Sequence, residues 1–473
     1  MRVFSFLVIV LLYSNAFAQA RRIPPVGKTL QPSTTVVDAV PVKQLFEEAA
    51  NYYRTKFAEF DRKKVAYSER LRTQIQREQK QLAAKYAASV SVRKDLAIDD
   101  RYYLGLLHWT AENYDGTAEA MTTYLAATEK ALDKSQRARS LVTVVFAKQK
   151  KLEDAEKMLA EYLKNEPKRI SERSRMESEI AKAYLALNDP LKAAPHAEEG
   201  YKAAKAFLAE PTSGPRGLDE FLDAGMLVFE SYRSAGKIGE ADAALEDMRK
   251  TAAAGGSPSL FFYAADKLIT YRIETGRKPL AMQTYSAALI EAGTAMPVKG
   301  DQNDAWQKLR KREKQYKLTG ETAPELSKID KWFPGSPQNL ASLRGKVVLL
   351  DFWATWCGPC FDAFPHLTEW HQDYKSDGLV ILGVTRYYGL ADGISADNAN
   401  EIEFLKRFKI KENLPYDFVV VKDTDPQIMY GANALPTTVL IDRKGVIRYL
   451  ESGASPTRIE DMRQMMLKLL AEK

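Results

Sequence analysis

The sequence predicts two architectures in one chain: an all-α array of helical hairpins, then an α/β sandwich. Three observations carry that reading. Residues 42–90 contain neither Gly nor Pro, and Leu45, Ala49, Tyr53, Phe57 and Phe60 recur at intervals of three and four, the period of an amphipathic helix. Between residues 95 and 310, Ala118, Ala155, Ala193, Ala241 and Ala281 each follow a turn-like cluster, which is the mark of a repeat. After residue 320 the pattern switches to short β-type runs alternating with helical stretches. With 473 residues, the chain is also too long for one hydrophobic core.

The first eighteen residues read as a secretory signal peptide. Arg2 supplies the positive start, "VFSFLVIVLLY" the apolar run, and "AFA" at 16–18 a small-x-small cleavage site before Gln19. The run is about half the ~20 apolar residues a spanning helix needs, so a retained anchor is the weaker alternative. No cysteine stands near the cut, which excludes lipid attachment there, and no later stretch is apolar for long enough to span a bilayer. Residues 19–41, rich in Pro, Thr and Val, read as an extended linker. The expected location is outside the cytoplasm, most simply a bacterial periplasm. A net charge of +7 spread without a basic block fits solvated helix faces and gives no ground for a nucleic-acid partner.

Residues 42–318 read as the helical domain. The stretch 42–90 is one long helix or two with an unmarked joint. In the repeats, Trp109, Phe146, Tyr184 and Tyr232 stand nine residues before the first four alanines, with Tyr271 one place early before the fifth. An aromatic on one helix, a turn and a small residue on the next allow close helix packing and a continuous stacked core. The intervals between alanines are 37, 38, 48 and 40 residues, the longest containing "EPTSGPRG" at 210–217. The pattern resembles a tetratricopeptide-type array, with Pro167 where that family often ends a repeat. It departs from the family period of about 34 residues and from its Trp-Leu-Gly-Tyr signature.

A charged helix end gives way to Pro, Gly and Ser over 311–345, placing the domain boundary near 318 and the sandwich at 319–473. Strands are expected at "KVVLLDFWA", "GLVILGVT", "YDFVVV", "TTVLID" and "GVIRYL", and helices at 358–375, 399–410 and 456–471. Both cysteines of the chain lie here, as Cys357-Gly358-Pro359-Cys360 between the first strand and its helix. Two cysteines this close would restrict little of the unfolded chain as a staple. At a helix N-terminus, unpaired N–H groups and the dipole favour thiolate. An exposed Cys357 attacking a disulfide, with Cys360 one turn on to release it, is the exchange this spacing permits.

"VVLLDFWATWCGPC" resembles the active-site strand and helix of thioredoxins, and especially of the exported TlpA/ResA-like thioredoxin family. Gly345-Lys346 before the strand, Pro365 in the helix and "MYGANALPTTVLIDRKGVI" extend the likeness over roughly 325–473. The resemblance implies a redox-active Cys357–Cys360 disulfide with no further cofactor. It implies that Pro436 is a cis-proline facing the pair, and that Trp356, Gly358, Pro359, Leu435 and Pro436 receive an extended substrate. Where the exported family often has Asn, this chain has Asp351; a buried carboxylate there could take the Cys360 proton, the alternative being a hydrogen-bonded strand residue. Where many relatives carry a Glu after the second cysteine, this chain has Ala363, with Asp362 beside it.

Zinc would need two further ligands. No third cysteine exists, and His108, His196, His366 and His371 form no partner pair, with His366 and His371 read as exposed; no metal site is expected. Peroxide reduction would call for Thr three residues before the reactive cysteine, and Thr355 is two before it. The expectation is a thiol–disulfide oxidoreductase, a reductant because its Gly-Pro dipeptide is thioredoxin's, whose helices recruit a disulfide-containing client. An electron donor, commonly a membrane thiol relay in this family, is implied. The alternative is an exported helical scaffold in which the thioredoxin-like part is a docking module.

Overall fold

The computed structural model describes residues 40–128, 133–211 and 213–472. The expected signal peptide, 1–18, and all but the end of the expected linker, 19–41, lie outside them. The chain divides into two compact units, Met1–Thr128 and Glu129–Lys473.

In the first unit the Gly-free stretch is two helices, α1 (Val42–Arg62) and α2 (Glu69–Ser91). The joint between them places Lys64 at φ 53° and is closed by Ser68, whose side chain accepts the Leu71 N–H at 3.2 Å, as an N-cap does. Helices α3 (Ile98–Thr110) and α4 (Tyr114–Ala126) complete the unit. Val42, Leu45 and Ala49 pack with Ala83, Ala87, Val90, Leu104, Leu107 and Ala120 to form its core. Tyr53, Phe57 and Phe60 are half-buried rather than central.

Among the described residues, the second unit holds nine more stacked helices and the whole sandwich. The helices are α5 (Asp133–Lys148), α6 (Leu152–Lys164), α7 (Ile170–Ala186), α8 (Pro190–Leu208), α9 (Gly214–Ser234), α10 (Ile238–Ala254), α11 (Pro258–Glu274), α12 (Lys278–Thr294) and α13 (Lys299–Leu318). The long interval is absorbed by the length of α8 and α9, 19 and 21 residues.

One turn recurs in both units. A residue at positive φ (Glu112, Lys150, Asn188, Gly236 or Gly276) ends one helix, and the next N–H reaches back five residues, from Asn113 to His108, Lys151 to Phe146, Asp189 to Tyr184, Lys237 to Tyr232 and Arg277 to Arg272. This is the double-bonded C-terminal cap that a left-handed residue permits. The turn fixes the repeat register and corrects the expected one at its two ends. Position by position, His108 and Thr117 stand where Trp109 and Ala118 were expected, and Arg272 stands where Tyr271 was. Thr117, Ala155, Ala193, Ala241 and Ala281 are all fully buried, whereas Ala118 is not. Arg272 tolerates its buried place because Asp242 and Glu246 take its guanidinium at 2.9 and 3.1 Å.

The stretch read as a change of character, 311–345, carries the end of α13 and an unforeseen edge strand, β1 (Ile329–Phe333). The sandwich continues with β2 (Val347–Phe352), α14 (Gly358–Tyr374), β3 (Leu379–Arg386), a small hairpin β4–β5 (Leu390–Ala391, Ile394–Ser395), α15 (Asn398–Lys411), β6 (Asp417–Val421), α16 (Asp425–Tyr430), β7 (Thr437–Ile441), β8 (Ile447–Ser452) and α17 (Pro456–Ala471). The sheet order is β1-β6-β3-β2-β7-β8. β2, β3 and β6 run parallel, and the rest pair antiparallel. Every residue of β2 is buried, as befits a strand covered on both faces. One face packs on residues of α14, α15 and α17, and the other on Trp332, Leu340, Leu343 and Tyr430. This is a thioredoxin-like α/β sandwich following an all-α array. No described helix is long and apolar enough to cross a membrane.

Candidate active site

The site forms at the carboxyl ends of the parallel strands β2 and β3, where open α/β sheets place their ligands. Cys357 is the N-cap residue of α14, with Pro359 in the first turn. Pro is tolerated there because its missing N–H would have been unpaired anyway. Cys357 and Cys360 are joined as a disulfide, and the Cys360 N–H donates to the Cys357 carbonyl at 3.0 Å.

Cys357 was expected to be exposed, and the structure corrects that: the residue is only 4% exposed and Cys360 is fully buried. Cys357 is reached instead through a groove of about 460 Å³ that it lines, whereas Cys360 does not. Trp356, Gly358, Pro359 and Leu435 line the same groove. Trp356 is the most open of the large ones, at 57%. Pro436, joined to Leu435 by a cis peptide bond, is buried and, unlike the other residues expected to receive substrate, is not among those lining the groove; its carbonyl accepts the Gly453 N–H at 2.7 Å.

Asp351 occupies β2 opposite Gly383 of β3 and Thr438 of β7. Alternation along the strand puts its side chain on the face of Val347 and Leu349, the face whose core contains Cys357, Cys360 and α14. It is fully buried, and neither carboxyl oxygen has a hydrogen-bond partner among the described residues. Desolvation pushes its pKa up to about 7, as expected for a carboxyl that loses water without gaining a charge or donor. The alternative of an ordinary hydrogen-bonded strand residue therefore does not describe it.

Sequence reasoning missed the residues that surround this carboxyl and complete the groove. Tyr416 lies buried in the same core; burial pushes its hydroxyl well up, and the Asp351 charge adds to the rise. Gly383 leaves the space these rings need, since a Cβ there would sit 3.0 Å from Trp353 Nε1 and 3.3 Å from the Tyr416 ring. His371 packs edge-on against Tyr416 at 6.3 Å and His366 lies against Trp370 at 6.2 Å, so both are half-buried rather than exposed. On the groove side, Arg386 ends β3, followed by Tyr388, with Gln427 of α16 opposite. The available signal was their position just past a parallel strand's carboxyl end.

Fold and site together define a thioredoxin-like thiol–disulfide oxidoreductase. The redoxin family matches residues 318–466. The ResA thiol-disulfide oxidoreductase of Geobacillus thermodenitrificans is 32% identical over 154 residues, covering 32% of this chain and 78% of that protein. ResA of Bacillus subtilis is 32% identical over 130 residues, 27% of this chain and 65% of its own length. DipZ of Mycobacterium tuberculosis is 33% identical over 152 residues, 31% of this chain and 21% of that protein. Among solved structures, a thiol-disulfide isomerase from Corynebacterium glutamicum matches at 22% identity with TM-score 0.27, over 32% of this chain and 98% of that one. Through its last third, the chain belongs to the ResA-type thiol-disulfide oxidoreductases of the redoxin group.

Proposed function

We propose that this chain is an exported reductant of protein disulfides, with residues 319–473 as the redox part and residues 42–318 recruiting the client. The observation that carries the reading is the division of labour at the pair: Cys357 at the helix N-terminus lines the groove, while Cys360 lies in the core that Asp351 faces. In the reduced protein, the Cys357 thiolate attacks one sulfur of the client disulfide. A mixed disulfide forms, and the other client sulfur leaves as a thiolate that takes up a proton. Cys360 gives its proton to the Asp351 carboxylate and attacks Cys357 Sγ. The Cys357–Cys360 bond forms, the Cys357–client S–S bond breaks, and the second client sulfur leaves as a thiolate that takes up a proton as Asp351 releases its own, so two electrons have passed and the client is a dithiol. A carboxyl with a pKa of about 7 both accepts and returns a proton near neutrality.

The dipeptide Gly358-Pro359 supports the reducing direction, and regeneration calls for a dithiol donor such as a membrane thiol relay. The basic start, apolar run and "AFA" of residues 2–18 support export. A groove of about 440 Å³ across α8–α10, with Val228, Ala243, Ala244, Tyr201 and Tyr232 set among Glu198, Lys202, Lys205, Glu240 and Asp247, supports recruitment by the array. The test is Cys360→Ser expressed in its own host: mixed disulfides to Cys357 should accumulate and vanish on reduction in electrophoresis. A variant that traps nothing while a Cys357→Ser, Cys360→Ser control looks the same removes the proposal.

A further inference from the structure

Arg386 is the one charged residue among those lining the Cys357 groove. Its guanidinium lies over the Tyr388 ring, 4.0 Å from the centroid. Nε donates to Gln427 Oε1 at 3.2 Å and Nη1 to the Tyr387 carbonyl at 2.9 Å. Gln427 Nε2 in turn donates to the Tyr388 hydroxyl at 3.1 Å, and the Tyr388 ring meets Trp356 edge-on at 5.2 Å. The cation is therefore held in place by a ring face, an amide and a carbonyl, all neutral. The carboxylates bonded to its neighbours are committed elsewhere: the two oxygens of Glu401 accept the Tyr388 and Gly389 N–H groups, each at 2.9 Å, and Asp330 accepts the Tyr387 hydroxyl at 2.6 Å. Among the described residues no carboxylate pairs with Arg386.

A half-buried guanidinium fixed by stacking and hydrogen bonds has little ordering left to do when a carboxylate arrives, and its planar fork matches that group in two contacts. A cation without a partner in a groove this size selects by charge as well as shape. We infer that the groove prefers disulfides carrying a carboxylate close to the sulfur that Cys357 attacks, with Arg386 as the specificity-determining residue. The inference rests on the exchange reaction proposed above and names its substrate class. That carboxylate comes either from an acidic side chain next to a cysteine in a polypeptide or from a small acidic disulfide such as oxidised glutathione.

The test uses full-length protein in its reduced form and two peptides, each closed by one disulfide, differing only by Glu or Gln beside the attacked cysteine. Single-turnover oxidation of the enzyme gives the second-order rate constant for each. The Glu peptide should react about tenfold faster, the factor expected of one charge-assisted contact, and added salt should shrink the ratio. In Arg386→Gln the ratio should fall to near one. In Arg386→Glu the Glu peptide should become slower than the Gln peptide, and a third peptide with Lys at the same position should become the fastest of the three, a gain that misfolding cannot mimic. Equal rates for both peptides with the unaltered protein, or an unchanged ratio in Arg386→Gln, overturn the inference and leave the exchange reaction standing. Failure of the unaltered protein to reduce either peptide overturns both. Oxidised glutathione decides the source: Arg386-dependent reduction as fast as that of the Glu peptide supports a small acidic disulfide, and reduction slower than that of the Gln peptide supports a polypeptide.

Discussion

Arg312 of α13 grips Glu451 of β8 with both Nη atoms, 2.6 Å at each contact, while its Nε holds Asp266 of α11 at 2.8 Å. The helical array and the redox sandwich thus share one guanidinium. Lys278 reaching Glu321 at 2.6 Å and the Gly320 N–H donating to the Ile447 carbonyl at 2.7 Å add to the joint. Helices α11–α13 of the second unit are thereby joined to β8, the edge strand beside β7, which follows Pro436.

Arg312→Ala leaves Asp266 and Glu451 facing each other with little solvent, and should lower stability by about 3 kcal/mol. Arg312→Ala with Glu451→Gln should cost less than the sum of the two single changes, because the second removes a charge the first has orphaned. Urea unfolding of the four proteins measures both. Additive effects would reduce the contact to a surface ion pair.

Asp351 sets a pH dependence whose sign follows from its raised pKa. The native carboxyl holds its proton up to about pH 7, whereas the unfolded one releases it near 3.8, the ordinary value for an aspartate. Between those limits the native state binds more protons, so stability is fully present below the lower value and is lost as pH rises through the upper one. The loss is on the order of 4 kcal/mol, from roughly three pKa units. Asp351→Asn should abolish it: against the unaltered oxidised protein, the variant should match at pH 4 and be several kcal/mol more stable at pH 8. Its mixed disulfide should resolve more slowly near neutrality, and the inflection near pH 7 in the rate should vanish. An unchanged pH profile would return Asp351 to a structural role.

The repeated turn makes a simpler claim. Lys150 sits at φ 60°, a conformation that costs an L side chain roughly 1–2 kcal/mol, partly offset by the extra freedom Gly has when unfolded. Lys150→Gly should therefore stabilise the protein by about 0.5–1 kcal/mol. Thermal unfolding checks it, and a loss of stability would mean the Lys150 side chain does work that its position does not reveal.

Much of the sandwich was legible because its strands are continuous apolar runs and its helices begin at marked caps. β1 was not, because "IDKWF" reads as a polar edge between Pro- and Gly-rich stretches and becomes a strand only by pairing with β6. The joint at 63–68 carries no Gly or Pro, leaving Ser68 as its single signal. At the ends of the repeat register the aromatics Trp109 and Tyr271 stand one place from the true positions; the cap hydrogen bonds put His108 and Arg272 there, and Arg272 is acceptable only beside Asp242, 30 residues away. The cysteine pair and Asp351 could be named from the motif. Arg386 could not, since Gln427, which holds it, stands 41 residues further on. The near-burial of Cys357 depends likewise on walls supplied by distant loops.

The most direct measurement is the midpoint potential of the Cys357–Cys360 couple, by equilibrating the full chain against defined thioredoxin or glutathione ratios and counting free thiols. A reductant with this dipeptide should lie near thioredoxin, at about −270 mV. A midpoint near about −120 mV, that of a strong oxidant, would contradict the reading and make the same residues a source of disulfides.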